Sequence, residues 1–364
     1  MKPTLVALAA LAAAALPAPA AAQVQVQAPQ RQTRQPHPSQ APAPQPQAGQ
    51  RQAPPPASPA GKNQFTLAPV QYENLTLVPV ATTAPAAGQR YLVLDEGMTS
   101  GQVRVVETKE GGEVNELVLE NRSSEPLFLL AGEVVIGGKQ DRIIGKDTIV
   151  PPKSSERIPV FCVEHGRWSG RKADFSTAKA LAHTKLRRQA KYAGQSDVWQ
   201  EVASKNAMRQ VSNDTDTYRA VATGTTVSRS IADYERHFRG ALRTVAGRSD
   251  VVGYAVAING EVVAIETFGS PDLFRKLEDK LLRSYYVEAV DHPLDRDKAK
   301  RPPTDADVRS FRAKAERAKR AHGRTVREGK AARTVQFDEP ELQGSSVNNP
   351  YDAEPVYDAA YKKD

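Results

Sequence analysis

Hydrophobic and polar positions divide the chain into three stretches. An uninterrupted apolar run from Leu5 to Leu16 is followed by residues 23–61, which are almost entirely Gln, Pro, Ala, Ser and Arg with no aromatic side chain. From about Phe65 to Val347, short apolar runs alternate with polar breaks, the pattern of a folded segment. The first half of that segment is β-like. Glu73–Val80, Arg90–Leu94, Gln102–Val106, Glu116–Glu120, Leu127–Ile136, Arg142–Val150 and Glu156–Val163 are rich in β-branched residues and separated by Gly, Pro, Asn or Ser. These short strands predict a sandwich or an open barrel, with a tight turn at Gly137-Gly138.

Beyond about Ala178 the period changes, and helices are expected over 177–192, 196–210 and 227–246. Val251–Ile258 and Glu261–Phe268 flank Asn259-Gly260, the favoured pair for a two-residue type I′ hairpin turn. Ser270-Pro271-Asp272 supplies a cap and a first-turn proline for a helix carrying Leu273, Leu277, Leu281 and Leu282. Asp305–Arg320 places Val308, Phe311, Ala315 and Ala318 on one helical stripe. Thr334–Phe337 and Leu342–Val347 form a last hairpin, and 348–364 reads as a loose tail. The fold class expected is α+β: a β-rich N-terminal half, with helices and a β-hairpin in the C-terminal half. Residues 62–347 are read as a single globular domain.

The charged start at Lys2, the apolar run and the small residues Ala20-Ala21-Ala22 have the layout of a cleavable secretory signal over 1–22. Residues 23–61 then act as a tether, too poor in apolar surface to fold. The expected location is periplasmic or extracellular, with no transmembrane segment in the mature form. One cysteine, Cys162, excludes an intramolecular disulfide and a four-cysteine zinc site, so stability must come from an ordinary core. The six histidines, at 37, 165, 183, 237, 292 and 322, show no metal-ligand spacing, and no pattern calls for a cofactor.

Two stretches resemble a known family. Leu129-Leu-Ala-Gly-Glu-Val-Val-Ile-Gly-Gly-Lys-Gln-Asp-Arg142, and Val150-Pro-Pro through Pro159-Val-Phe-Cys-Val-Glu-His-Gly-Arg-Trp168, are similar to the ARG/rhodanese/phosphatase superfamily-associated protein domain, an uncharacterised bacterial family. The resemblance continues through Val198-Trp199, the Gly253–Gly269 hairpin and Leu281–Tyr285, and the basic, alanine-rich sequence after about Asp291 departs from it. It implies an association with ADP-ribose and phosphate chemistry through the family's neighbours, and no activity to carry over.

The residues themselves offer two polar clusters. One holds Glu133, Lys139, Gln140, Asp141 and Arg142; the other holds Cys162, Glu164, His165, Arg167 and Trp168. If their strands are neighbours, the clusters converge on one cleft. Glu133 interrupts an apolar run, where a desolvated carboxylate becomes a candidate general base. Lys139 and His165 complete the candidate catalytic set. Gln140, Asp141, Arg142, Glu164, Arg167 and Trp168 are candidate ligand contacts, Arg142 with bidentate geometry for a phosphate or carboxylate. The bland alternative for 139–142 is a solvated hairpin tip. Cys162 is read as an inert buried thiol. Trp168 and Trp199 offer stacking surfaces or core packing.

Charge supports a competing reading. Residues 309–333 hold ten Lys or Arg against Glu316 and Glu328, a net of +8, which equals the formal excess of the whole chain. Such a basic helix suits an anionic lipid or envelope polymer, whereas export and the lack of any motif beyond charge argue against nucleic acid. Two function classes follow: a protein that binds or processes a phosphorylated or nucleotide-sugar ligand, or a non-catalytic envelope module that holds an anionic partner.

Overall fold

The computed structural model describes residues 63–84, 89–108, 115–167, 174–210, 214–350 and 355–363. The apolar leader, the Pro/Gln/Ala tract of 23–61 and Trp168 lie outside them. The described chain starts with β1 (Gln64–Thr66), β2 (Val70–Tyr72), β3 (Leu75–Thr82), β4 (Leu92–Val93), α1 (Leu94–Thr99), β5 (Val103–Glu107) and β6 (Glu116–Asn121). Next come β7 (Leu127–Leu129), β8 (Glu133–Gly137), β9 (Arg142–Ile144), β10 (Thr148–Val150), β11 (Ser154–Cys162) and β12 (Phe175–Leu181). A helical block follows: α2 (Thr184–Tyr192), α3 (Gln195–Met208), α4 (Arg219–Thr223), α5 (Thr225–Ala241) and α6 (Arg243–Ala246). The remainder is β13 (Val251–Ile258), β14 (Glu261–Phe268), α7 (Pro271–Val290), α8 (Arg296–Ala299), α9 (Asp305–His322), β15 (Arg324–Glu328), β16 (Arg333–Asp338), β17 (Leu342–Asn348) and β18 (Pro355–Lys362).

The fold is α+β. A nine-stranded antiparallel sheet runs β1-β3-β13-β14-β18-β17-β16-β15, with β2 also on β3. A six-stranded sheet runs β12-β8-β9-β11-β6-β5, and a small sheet joins β10, β7 and β4. The first strands of the N-terminal half thus belong to a sheet built mostly from the C-terminal half. Locally determined features form as expected. Asn259 and Gly260 have φ of 49° and 77°, the positive pair a type I′ turn needs. Ser270 Oγ accepts from the Leu273 N–H ahead of α7, and Pro271 takes the first helical position.

Five expectations are corrected. The run Leu127–Ile136 is two strands, because Gly132 turns the chain at φ 93° and sends β7 and β8 into different sheets. Arg142–Val150 divides likewise into β9 and β10 around Asp147, whose carboxylate accepts the Ala131 N–H at 2.8 Å. The helix expected from 177 starts at Thr184, since 175–181 pairs with β8 through a bulge at Lys179. The loose tail is β18, held between β14 and β17. The 309–333 basic segment is also not one helix: α9 stops at His322, and Arg324–Glu328 enters the large sheet.

One buried network ties these parts together. Arg187 on α2, fully buried, forks onto Glu266 of β14 at 2.9 and 2.6 Å. Tyr285 of α7 and Tyr357 and Tyr361 of β18 donate to the same carboxylate, at 2.9, 2.5 and 3.1 Å. One turn along α2, Lys191 pairs with Asp147 at 2.8 Å, and Ser345 of β17 donates to that carboxylate at 2.7 Å. Gly132 must be glycine here, for a Cβ would lie 2.4 Å from Arg187 Cγ.

Burial alone would raise the Glu266 carboxyl, but Arg187, Lys191 and the Tyr357 hydroxyl outweigh it and hold the group at about 2. A depressed folded pKa stabilises fully above the ordinary glutamate value of 4.5 and stops doing so as pH falls through the folded value. Urea unfolding should therefore show stability declining between pH 4.5 and about 2. Glu266→Gln should lower stability at neutral pH by about 3–5 kcal/mol and make that acid decline shallower. Parallel pH profiles in the two proteins would remove Glu266 from this role.

Candidate functional site

The β8–β9 hairpin and the end of β11 lie side by side, so the two polar segments meet. The turn depends on Gly138: its φ is 51°, and a Cβ would sit 2.4 Å from the Phe175 ring. The Lys139 N–H donates to Glu107 Oε1 at 3.0 Å, fixing the hairpin tip against β5. Across the ladder, the Val163 N–H donates to the Asp141 carbonyl at 3.0 Å. The neighbouring Cys162–Arg142 pair is then the non-hydrogen-bonded kind, whose side chains stand close on one face.

Around the turn, charges close into a lock. Arg167 Nε donates to Glu164 Oε1 at 3.0 Å and Nη2 to Oε2 at 2.7 Å, and Nη2 also reaches Asp141 Oδ1 at 3.2 Å. Its Nη1 donates to the Gly138 carbonyl at 2.9 Å. The Asp141 N–H donates to Glu164 Oε2 at 2.9 Å, Gln140 Nε2 to the Glu164 carbonyl at 2.6 Å, and Thr217 Oγ1 to Asp141 Oδ2 at 2.9 Å. Burial raises the Asp141 carboxyl, whereas at Glu164 the bonds from Arg167 and the Asp141 amide outweigh burial and hold the group low. These groups satisfy one another, so the lock is structural chemistry that shapes what stands beside it.

Arg142 stands beside it and is different. It is fully buried, yet among the described residues its Nε and Nη2 have no hydrogen-bond partner; Nη1 has long contacts, both 3.4 Å, to Gln140 Oε1 and the Asp141 carbonyl. Cys162 opposite is buried, and burial raises its thiol, although Arg142 pulls the other way. The Cys162 backbone is clamped by α3: Gln195 accepts its N–H and donates to its carbonyl, each at 2.8 Å. One turn on, Trp199 packs its ring edge-on against the exposed His165, centroids 4.9 Å apart, and its buried Nε1 has no partner among the described residues. Gln195 and Thr217 escaped the sequence reading because each lies in a polar stretch with no pattern of its own.

Glu133 belongs to another centre. Its buried carboxylate accepts Lys280 Nζ at 2.5 Å and the Leu130 N–H at 2.8 Å, and Lys280 also binds Asp95 at 2.8 Å. Burial raises Glu133, with Lys280 opposing, and Lys280 itself is held above its ordinary range because Glu133 and Asp95 outweigh its burial. The three proposed catalytic residues therefore sit in different surroundings: Glu133 on Lys280, Lys139 at the hairpin tip, and His165 on Trp199. Among the described residues no group of three or more His, Cys, Asp or Glu is placed to hold a metal ion. None of the described helices is long and apolar enough to cross a membrane.

The family model of the ARG and Rhodanese-Phosphatase-superfamily-associated Protein domain, ARPP-1, matches residues 66–355. The chain belongs to this family. No curated protein and no solved structure matches the chain. The ARPP-1 match takes in the lock, Arg142 and the Glu133 centre; it also runs through the basic sequence after Asp291, against the departure from the family expected there, and ends at the first residue of β18.

Replacing Arg167 with Met leaves Glu164 and Asp141 facing each other in a largely buried site. The expected loss is about 1–3 kcal/mol at neutral pH. Glu164 is held low in the folded state, so its contribution is complete above its ordinary value of 4.5 and fades as pH falls. Urea titrations at pH 7 and at pH 4 should show the gap between wild type and Arg167→Met narrowing at the lower pH. An unchanged gap would mean that the lock is not carried by these carboxylates.

Proposed function

We propose that this ARPP-1 protein is an exported binding module that holds a phosphate or carboxylate group of a small ligand on Arg142. One observation carries the reading: the two donors of Arg142 without partners, Nε and Nη2, form the edge with which a guanidinium grips an oxyanion bidentately. A buried charge left uncompensated costs several kcal/mol, and an oxyanion at that edge removes the cost. The raised Cys162 thiol stays protonated near neutral pH and favours holding over nucleophilic attack. The signal-like leader of 1–22 supports export. The Trp199 indole N–H, also without a partner among the described residues, is a further unused donor, in keeping with a phosphorylated or nucleotide-sugar ligand.

Thermal-shift measurements against orthophosphate, sulfate, phosphorylated sugars and ADP-ribose test this. At least one anion should raise the melting midpoint of the wild type, and Arg142→Met should lose that response. If Arg142→Met melts higher than wild type and no anion shifts either protein, the guanidinium is a structural burden and the reading fails.

A second reading is favoured by α9. Lys314, Arg317 and Arg320 lie three residues apart, exposed, with no carboxylate at ion-pair distance among the described residues, whereas Lys319 is tied to Glu316 and Asp358 at 2.8 Å each. This face suits an anionic lipid surface. Reversing the three charges to Glu should abolish sedimentation with vesicles containing anionic lipid, and raising the salt about fivefold should weaken wild-type binding steeply. Sedimentation that ignores both changes excludes it.

A further inference from the structure

A cavity of about 470 Å³ opens between α5, α7 and the bulge of β12; Arg142 does not line it, and it is independent of the reading above. Lys179, Arg239, Lys280 and Arg283 line it, against Glu235 and Asp279. A second hollow of about 450 Å³ shares Glu235 and Arg239 and adds Arg236 and Arg243, so the two form one trough along the end of α5 and the start of α6. Six cationic side chains there face two carboxylates.

Several of these cations are already committed. Arg283 donates to Glu235 at 2.9 Å and to the Ala222 carbonyl at 3.0 Å, Lys280 is held by Glu133 and Asp95, and Arg236 meets Asp233 at 2.6 Å. Lys179, Arg239 and Arg243 are exposed and have no ion-pair partner among the described residues. Lys179 is also held in the left-handed region, at φ 52°, where its own N–H donates to Thr177 Oγ1 at 2.9 Å while the Thr177 hydroxyl bonds to Asp95. A strained backbone at a bulge beside an unpaired cation is the kind of feature retained for binding.

We infer that this trough binds a linear phosphate-bearing polyanion. Arg236, Arg239 and Arg243 occupy successive turns and extend over roughly 10 Å of helix axis, more than one phosphate group occupies. Six of the eight residues lining the larger hollow are charged and two, Leu282 and Tyr286, are apolar, so charged groups are what it offers a ligand for recognition. Repeated phosphates would meet the three unpaired cations, Lys179, Arg239 and Arg243, whereas Lys280 in the wall is neutralised by Glu133 and Asp95.

Isothermal titration of the full mature chain with long-chain inorganic polyphosphate, tripolyphosphate and orthophosphate, at constant ionic strength, tests the inference. Affinity should rise along the series from orthophosphate to the long chain. Lys179→Gln combined with Arg239→Gln, both at exposed positions, should weaken long-chain binding at least tenfold with the melting midpoint unchanged. Absence of binding, equal affinity in the double variant, or loss of binding only when the α9 charges are reversed would each overturn it.

Discussion

The Arg187–Glu266 pair is the constraint on which the rest of the architecture depends. It joins α2 to the centre of the nine-stranded sheet, and through Tyr285, Tyr357 and Tyr361 it recruits α7 and the C-terminal strand to the same carboxylate. A buried ion pair need not stabilise more than apolar packing of the same volume would. Its effect here is on specificity. The guanidinium has one geometry that satisfies Glu266 and the Ala131 carbonyl together, so it sets where the chain must break between β7 and β8 and thereby which sheet β8 enters.

That placement of β8 decides the polar centres. With β8 and β9 in the six-stranded sheet, the hairpin tip lies against the end of β11, and Gln140, Asp141, Glu164 and Arg167 pair among themselves. The opposite end of β8 points Glu133 toward α7, where Lys280 meets it. One strand therefore feeds two separate charge clusters, a closed lock at one end and a lysine held by two carboxylates at the other.

Much of this was readable where the determinant is local. The Asn259-Gly260 turn and the Ser270-Pro271 cap are set by residues adjacent in sequence, and the meeting of 140–142 with 164–167 needed only that two neighbouring β-runs pair. The strand β18 was not readable, because Tyr357 and Tyr361 are buried by a carboxylate 91 and 95 residues away rather than by an apolar stripe of their own. Glu133 could be recognised as desolvated, since a carboxylate in an apolar run must be compensated, but its partner lies 147 residues on and carries no pattern that marks it. The breaks at Gly132 and Asp147 were hidden for the same reason: the β-rich runs continue through them, and only Arg187 and Ala131 show why the backbone turns.

Among the described residues two arginines are completely buried, and the contrast between them is informative. Arg187 uses its donors on a carboxylate, two tyrosine hydroxyls and a carbonyl, as a desolvated guanidinium must if its charge is to be tolerated. Arg142 is as completely buried and next in sequence to Asp141 of the lock, yet the Asp141 and Glu164 carboxylates are taken by Arg167, which is more exposed than Arg142. If the cluster had only to fold, the buried guanidinium would have the stronger claim on a carboxylate, because its desolvation is the more costly. The arrangement instead spends the carboxylates on the outer arginine and leaves the inner one with its bidentate edge unused, which is the distribution expected where an anion from outside the chain completes the set.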